Sequence, residues 1–176
     1  LNLNFLNQMT KSADQLREKM AFFWHGHFAT RVNNPKFNRQ LLNVIRKNAL
    51  GYFKELLFEV SKSPAMLQFL NNQQNKKDHP NENFAREVME LFTMGRGNYT
   101  ETDIKELERA FTGWGYDKEG NVSERPKQHD IRTKTFIGKT GNVNGDDVLN
   151  IIIEQKETEK VSNTKIYKVI VNENKD

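Results

Sequence analysis

Pro80-Asn81-Glu82-Asn83-Phe84-Ala85-Arg86-Glu87-Val88-Met89-Glu90-Leu91-Phe92-Thr93-Met94-Gly95 is the stretch that decides the fold class. Phe84, Val88, Leu91 and Phe92 recur at the spacing of one buried helical stripe. Pro80 and the polar run Asn81-Glu82-Asn83 open the helix, and Gly95 stops it. Glu82 lies near the N-terminal end of the helix dipole, where a negative charge is favoured.

Working outward, the same period returns on both sides. Downstream, Thr100-Glu101-Thr102-Asp103 resembles a capping box with Asp in the Glu position, before a helix lined by Ile104, Leu107 and Phe111 and ended by Gly113. Asn144-Gly145-Asp146-Asp147 opens another helix to about Gln155, and Thr158 is the expected cap of the last, with Ile166, Val169 and Ile170 apolar. Upstream, Ser12 is the expected cap of a helix to about Trp24 with Leu16, Met20, Phe23 and Trp24 buried. Pro35 starts a second helix with Leu41, Leu42, Ile45 and Ala49 inward, and a third covers Tyr52 to about Ser61. Ser63-Pro64 opens a fourth, to about Asn72, followed by a polar loop to Asp78. Between about 114 and 143 the helical period disappears. Asp117-Lys118-Glu119-Gly120 reads as a turn and 133–137 as a short strand, so this loop-rich insert has room for a short β-hairpin. The expected fold is mainly α, an irregular multi-helix domain.

The 176 residues suit one domain. Hydrophobic residues make up only 36%, but 12 Phe and 2 Trp supply large apolar groups for a core. The absence of Cys excludes a disulfide framework, a thiol nucleophile and Cys-ligated metal sites. No apolar run approaches the length of a membrane span. The first residue is Leu, and the chain stops at Asn172-Glu173-Asn174-Lys175-Asp176 straight after an apolar stretch, so both ends read as cuts through a longer protein. Net charge is +4, but between residues 19 and 54 there is no Asp or Glu while seven Lys and Arg occur. That segment could face an anionic partner; the plain alternative is a solvated basic face. Its aromatics fall at core spacing, which disfavours a stacking platform for nucleic acid. Phosphate-loop, dinucleotide, serine-hydrolase and zinc-protease signatures are absent.

Three constellations could carry chemistry. In Trp24-His25-Gly26-His27-Phe28, two His separated by one residue chelate a metal if the backbone is extended, because alternate side chains then share a side. On a helix they diverge by roughly 200°, so chelation requires the helix to end by about Trp24. The alternative is structural: one His packed on aromatics and one exposed. In the second constellation, Asn83, Glu87 and Glu90 share a helical face and offer carboxylates to a cation or as a general base, whereas Arg86 and Glu90 could pair as in any salt-bridged helix. The third is His129-Asp130 with Lys134 nearby, where a carboxylate could tune an imidazole, although adjacent side chains seldom bond each other.

Taken in order, Trp24-His25-Gly26-His27-Phe28, Ser63-Pro64-Ala65-Met66-Leu67, Asn81-Glu82-Asn83-Phe84-Ala85-Arg86-Glu87, Ala110-Phe111-Thr112-Gly113-Trp114 and His129-Asp130 resemble the bacterial family called domain of unknown function 1800, from about Met20 onward. The resemblance implies a single domain, residues 1–176, that is a central fragment of a longer protein. It implies a periplasmic or extracellular setting and a neighbouring exported protein as partner, but no established activity. Relatives often carry His at the positions of Asn48 and Phe92. Two expectations stand side by side, and the sequence leaves open whether the protein is an enzyme. One is a divalent-metal site formed by His25, His27, Glu87 and His129, with Glu87, Glu90 and His129 as catalytic groups for hydrolysis. The other is a non-catalytic envelope module in which the same polar groups lock helices together while the surface binds a partner protein or polymer.

Overall fold

The computed structural model describes residues 2–171. The terminal run at 172–176 lies outside them. Among the described residues the chain is mainly helical, with two small antiparallel hairpins in the stretch that sequence marks as non-helical. Its contacts gather it into two compact units, Leu1–Phe69 and Leu70–Asp176.

Unit 1 holds helices α1 (Asn2–Lys11), α2 (Gln15–His27), α3 (Pro35–Asn48), α4 (Phe53–Ser61) and α5 (Pro64–Phe69). Sequence reading assigned no element to α1. The start of α2 is at Asp14 rather than Ser12, whose hydroxyl instead accepts from the Asp14 N–H at 3.0 Å. Leu16, expected inside, is exposed, while Met20 and Trp24 are buried. Helix α3 begins as its chemistry dictates: Pro35 occupies the first turn and the Asn34 side chain accepts from the Lys36 and Phe37 amides. Leu41, Ile45 and Ala49 are buried. Trp24 Nε1 donates to the Ala49 carbonyl at 3.2 Å, and Arg46 pairs with Glu18 at 3.1 Å, so α2 and α3 are tied at both polar and apolar positions. The Ser63 hydroxyl accepts from the Met66 amide, as its capping role requires.

Unit 2 opens with a 3-10 turn, Asn72–Gln74, where sequence suggested only a polar loop. Asn72 in this turn and Asn75 just after it are buried. Asn72 Nδ2 donates to the Phe111 and Trp114 carbonyls, and Asn75 Nδ2 donates to Asn72 Oδ1 and the Glu108 carbonyl. Helix α6 (Asn83–Glu87) then widens into a π-helical segment, Val88–Phe92. The buried face of this stretch is Phe84, Ala85, Val88, Met89 and Phe92. Met89 is buried and Leu91, expected inside, is 48% exposed. Helix α7 (Glu101–Ala110) carries the expected capping box between Thr100 and Asp103. Gly113 follows with φ +83; a Cβ there would meet the Arg125 carbonyl oxygen at 2.9 Å, so conformation and space both require glycine.

Hairpin β1 (Trp114–Tyr116) with β2 (Val122–Glu124) sets Gly115 opposite Ser123, and hairpin β3 (Lys134–Phe136) with β4 (Lys139–Gly141) sets Thr135 opposite Thr140. Helix α8 (Gly145–Ile153) is capped by Asn144, and a Cβ at Gly145 would lie 2.3 Å from the Trp114 ring, so the indole packs directly on the first turn. Helix α9 (Lys156–Ile170) starts before Thr158. Thr158 is not its cap; it is buried and donates to the Ile152 carbonyl at 2.8 Å. Val169 and Ile170 are exposed.

Candidate functional site

The expected residues distribute over both units: His25 and His27 in unit 1, Glu87, Glu90 and His129 in unit 2. Helix α2 continues through His27. The extended backbone that a His-x-His chelate needs is therefore not formed, and the two imidazoles leave the helix on different sides. Gly26 between them is helical, with nothing close to where a Cβ would stand. His27 joins an aromatic cluster, edge-on to Trp24 at 5.5 Å, to Phe28 at 4.5 Å and to Phe53 at 6.3 Å between ring centres. His25 is exposed, and partial desolvation holds its pKa below the ordinary imidazole value. One His packed and one exposed is the structural arrangement of such a pair.

On the acidic helix the pairing differs from the expected one. Arg86 bonds Glu82 and Glu101 rather than Glu90. Glu90 pairs with Arg96 and accepts from the Tyr99 hydroxyl at 3.2 Å. The Arg96 guanidinium holds the Glu90 pKa below its usual value. Glu87 is half-buried, and among the described residues its carboxylate has no hydrogen bond or ion pair. Desolvation, and secondarily the charge of Glu90, raise its pKa.

His129 and Asp130 are both buried but do not bond each other. His129 Nδ1 lies 2.9 Å from the Thr112 carbonyl oxygen. A carbonyl can only accept, so Nδ1 carries the proton. The Thr112 hydroxyl donates to the Arg109 carbonyl at 2.6 Å and accepts from the Asp130 amide at 2.8 Å. The Asp130 carboxylate, 1% exposed, accepts from Arg109 Nε at 2.9 Å and from Arg132 Nη2 at 2.5 Å. Arg109 also forks onto Glu106, whose carboxylate accepts the Thr135 amide of β3. The Lys134 ammonium is buried and donates to the carbonyls of Asp130 and Arg132; burial pushes its pKa down. Glu106-Arg109-Asp130-Arg132 thus runs continuously from α7 through the loop to the β3–β4 hairpin.

Sequence reading singled out His129, Asp130 and Lys134 but missed Glu106, Arg109 and Thr112, which complete the network. Glu106 and Arg109 are three apart on one helix, a spacing that marks a pair but not its distant partner. Among the described residues no group of three or more His, Asp or Glu side chains is placed to hold a metal ion. Asn48 donates to the Val44 carbonyl within α3, and Phe92 is buried.

Fold and site together define a mainly helical protein whose buried charges form a cross-link between a helix and a hairpin. The family model described as protein of unknown function (DUF1800) matches residues 1–176, the whole chain and not only the part from Met20 onward, so the chain belongs to that family. Neither the curated proteins nor the solved structures give a match. Among the described residues no helix is long and apolar enough to cross a membrane.

Proposed function

We propose that the chain is a non-catalytic binding module that acts in the periplasm or outside the cell on a partner protein or envelope polymer. The observation supporting this reading is that Asp130, Arg109 and Glu106 are bonded to one another and His129 is bonded to Thr112, which suits struts rather than reagents. A general base or nucleophile needs an accessible lone pair, and the Asp130 carboxylate is 1% exposed. The exported protein encoded beside such family members is the proposed partner. Titrating that purified protein against this one, with light scattering or calorimetry as readout, tests the reading. Saturable binding that survives His129→Ala supports it. His129→Ala is then expected to lower stability by about 1–3 kcal/mol, as loss of a buried hydrogen bond does. No binding, together with a His129→Ala variant as stable as the parent, overturns it.

A second reading is hydrolytic chemistry centred on Glu87 and Glu90, with a divalent metal recruited by His25, His27, Glu87 or His129. One observation favours it: the half-buried, unpartnered Glu87 carboxyl with a raised pKa, at the start of a π-helical segment of the kind often found at functional sites. Elemental analysis after chelator-free purification, with melting measured in added zinc, manganese or calcium, is the check. No bound metal and unchanged melting would remove the reading.

A further inference from the structure

Unit 1 contains a cavity of about 500 Å³ lined by His25, Arg31, Val32, Pro35, Arg39 and Leu42 among others. That size lies within the range of small-molecule pockets, ~300–1,000 Å³. It is lined by residues from the end of α2, the following loop and the first turns of α3, and Asn38 in that lining donates from Nδ2 to the Val32 carbonyl at 2.9 Å, which pins the connecting loop. No carboxylate lines it.

Unit 1 has four arginines. Arg17 is paired with Asp14 and Arg46 with Glu18. The other two, Arg31 and Arg39, both line the cavity, and neither has an ion pair or hydrogen bond from its side chain among the described residues. The His25 imidazole at the same wall has no hydrogen-bond partner there either. Val32, Pro35 and Leu42 make the rest of the wall apolar.

We propose that this cavity binds a small organic anion, a carboxylate carried on a compact apolar body. The Arg31 and Arg39 guanidiniums supply planar forks that match a carboxylate, His25 adds a ring N–H, and the apolar side chains take the body. A bare phosphate would meet the same guanidiniums but leave Val32, Pro35 and Leu42 uncovered. Nucleic acid would need a run of stacking faces, and among these six residues only His25 is aromatic. The proposal rests on unit 1 alone and stands or falls independently of the role assigned to unit 2.

The test is calorimetric titration of the intact protein at neutral pH and low salt with phenylacetate, 2-phenylethanol and inorganic phosphate, followed by amide chemical-shift mapping. Phenylacetate is expected to saturate one site below about 10 mM, with the alcohol and phosphate each at least about ten-fold weaker. The largest shifts should fall at residues around His25, Arg31 and Asn38. Arg31→Gln with Arg39→Gln should weaken phenylacetate by about ten-fold or more without changing the circular dichroism spectrum, since both side chains are on exposed residues. Equal affinity for acid and alcohol, phosphate binding as tight as phenylacetate, shifts elsewhere, no saturable binding, or a folded double variant that binds like the parent would each overturn the proposal.

Discussion

Asp130 gathers two guanidiniums and a backbone amide around a carboxylate that water barely reaches. Removing its charge deprives the partly buried Arg109 of one of its two carboxylate partners, Glu106 being the other, so Asp130→Asn is expected to destabilise the protein by roughly 1–3 kcal/mol in urea titrations. Arg132→Ala should do much less, because that guanidinium is 70% exposed. The hydrogen bond from Arg132, with Arg109 behind it, holds the Asp130 pKa well below the usual carboxylate range. An unfolded aspartate titrates near ~3.9, so on acidification the unfolded chain takes up this proton first. The stabilisation is complete above about pH 5 and fades as the pH falls toward the folded value. Stability measured from about pH 5 to pH 2 should therefore fall more steeply in the parent than in Asp130→Asn. Equal slopes would mean that the carboxylate is not held by these partners. At this scale the sequence pointed to the right loop but not to the right bonds. His129 next to Asp130 suggests a dyad, whereas the folded chain turns His129 to the Thr112 carbonyl and Asp130 to Arg109, a residue 21 positions away.

Some element limits that depend on local chemistry were legible, while Ser12 and Thr158 are not the caps their sequence positions suggest. Pro35 after Asn34, Thr100 with Asp103 and Asn144 with Asp147 all form the caps their side chains can reach within three residues. Thr100→Ala should accordingly cost about 1 kcal/mol, read as a shift in the urea midpoint. Elements shaped by tertiary packing were not legible. Phe84, Val88, Leu91 and Phe92 read as the inner stripe, but the face that packs includes Ala85 and Met89 and leaves Leu91 exposed. Met89→Ala should then cost about 2–5 kcal/mol, while Leu91→Ser changes stability by no more than about 0.5 kcal/mol. The reverse order of effects would show that Leu91 and not Met89 faces the core. In the same way Gly26 reads as a helix breaker, but in an open position glycine only weakens a helix, and α2 runs on to His27. The Asn72–Gln74 turn looked like solvent-facing loop because nothing local announces that an amide side chain will be buried beneath backbone carbonyls 39 and 42 residues away.

At the scale of the molecule, the chain gathers into Leu1–Phe69 and Leu70–Asp176, a division that composition does not mark with a Gly- or Pro-rich linker. The Asp130 network belongs wholly to the second unit. Asp130→Asn should therefore raise hydrogen exchange in α7 and the β3–β4 hairpin and leave α3 and α4 as protected as before, by exchange mass spectrometry. Uniform loss of protection would mean that the two units open as one. The chain's two tryptophans fall one to each unit, Trp24 among the aromatics of α2 and Trp114 against Gly145 of α8, both almost wholly buried. Fluorescence consequently offers a separate lamp for each half. With Trp24→Phe, the red shift of the remaining emitter would time the wetting of the α7–α8 core by itself, and Trp114→Phe would do the same for the first five helices.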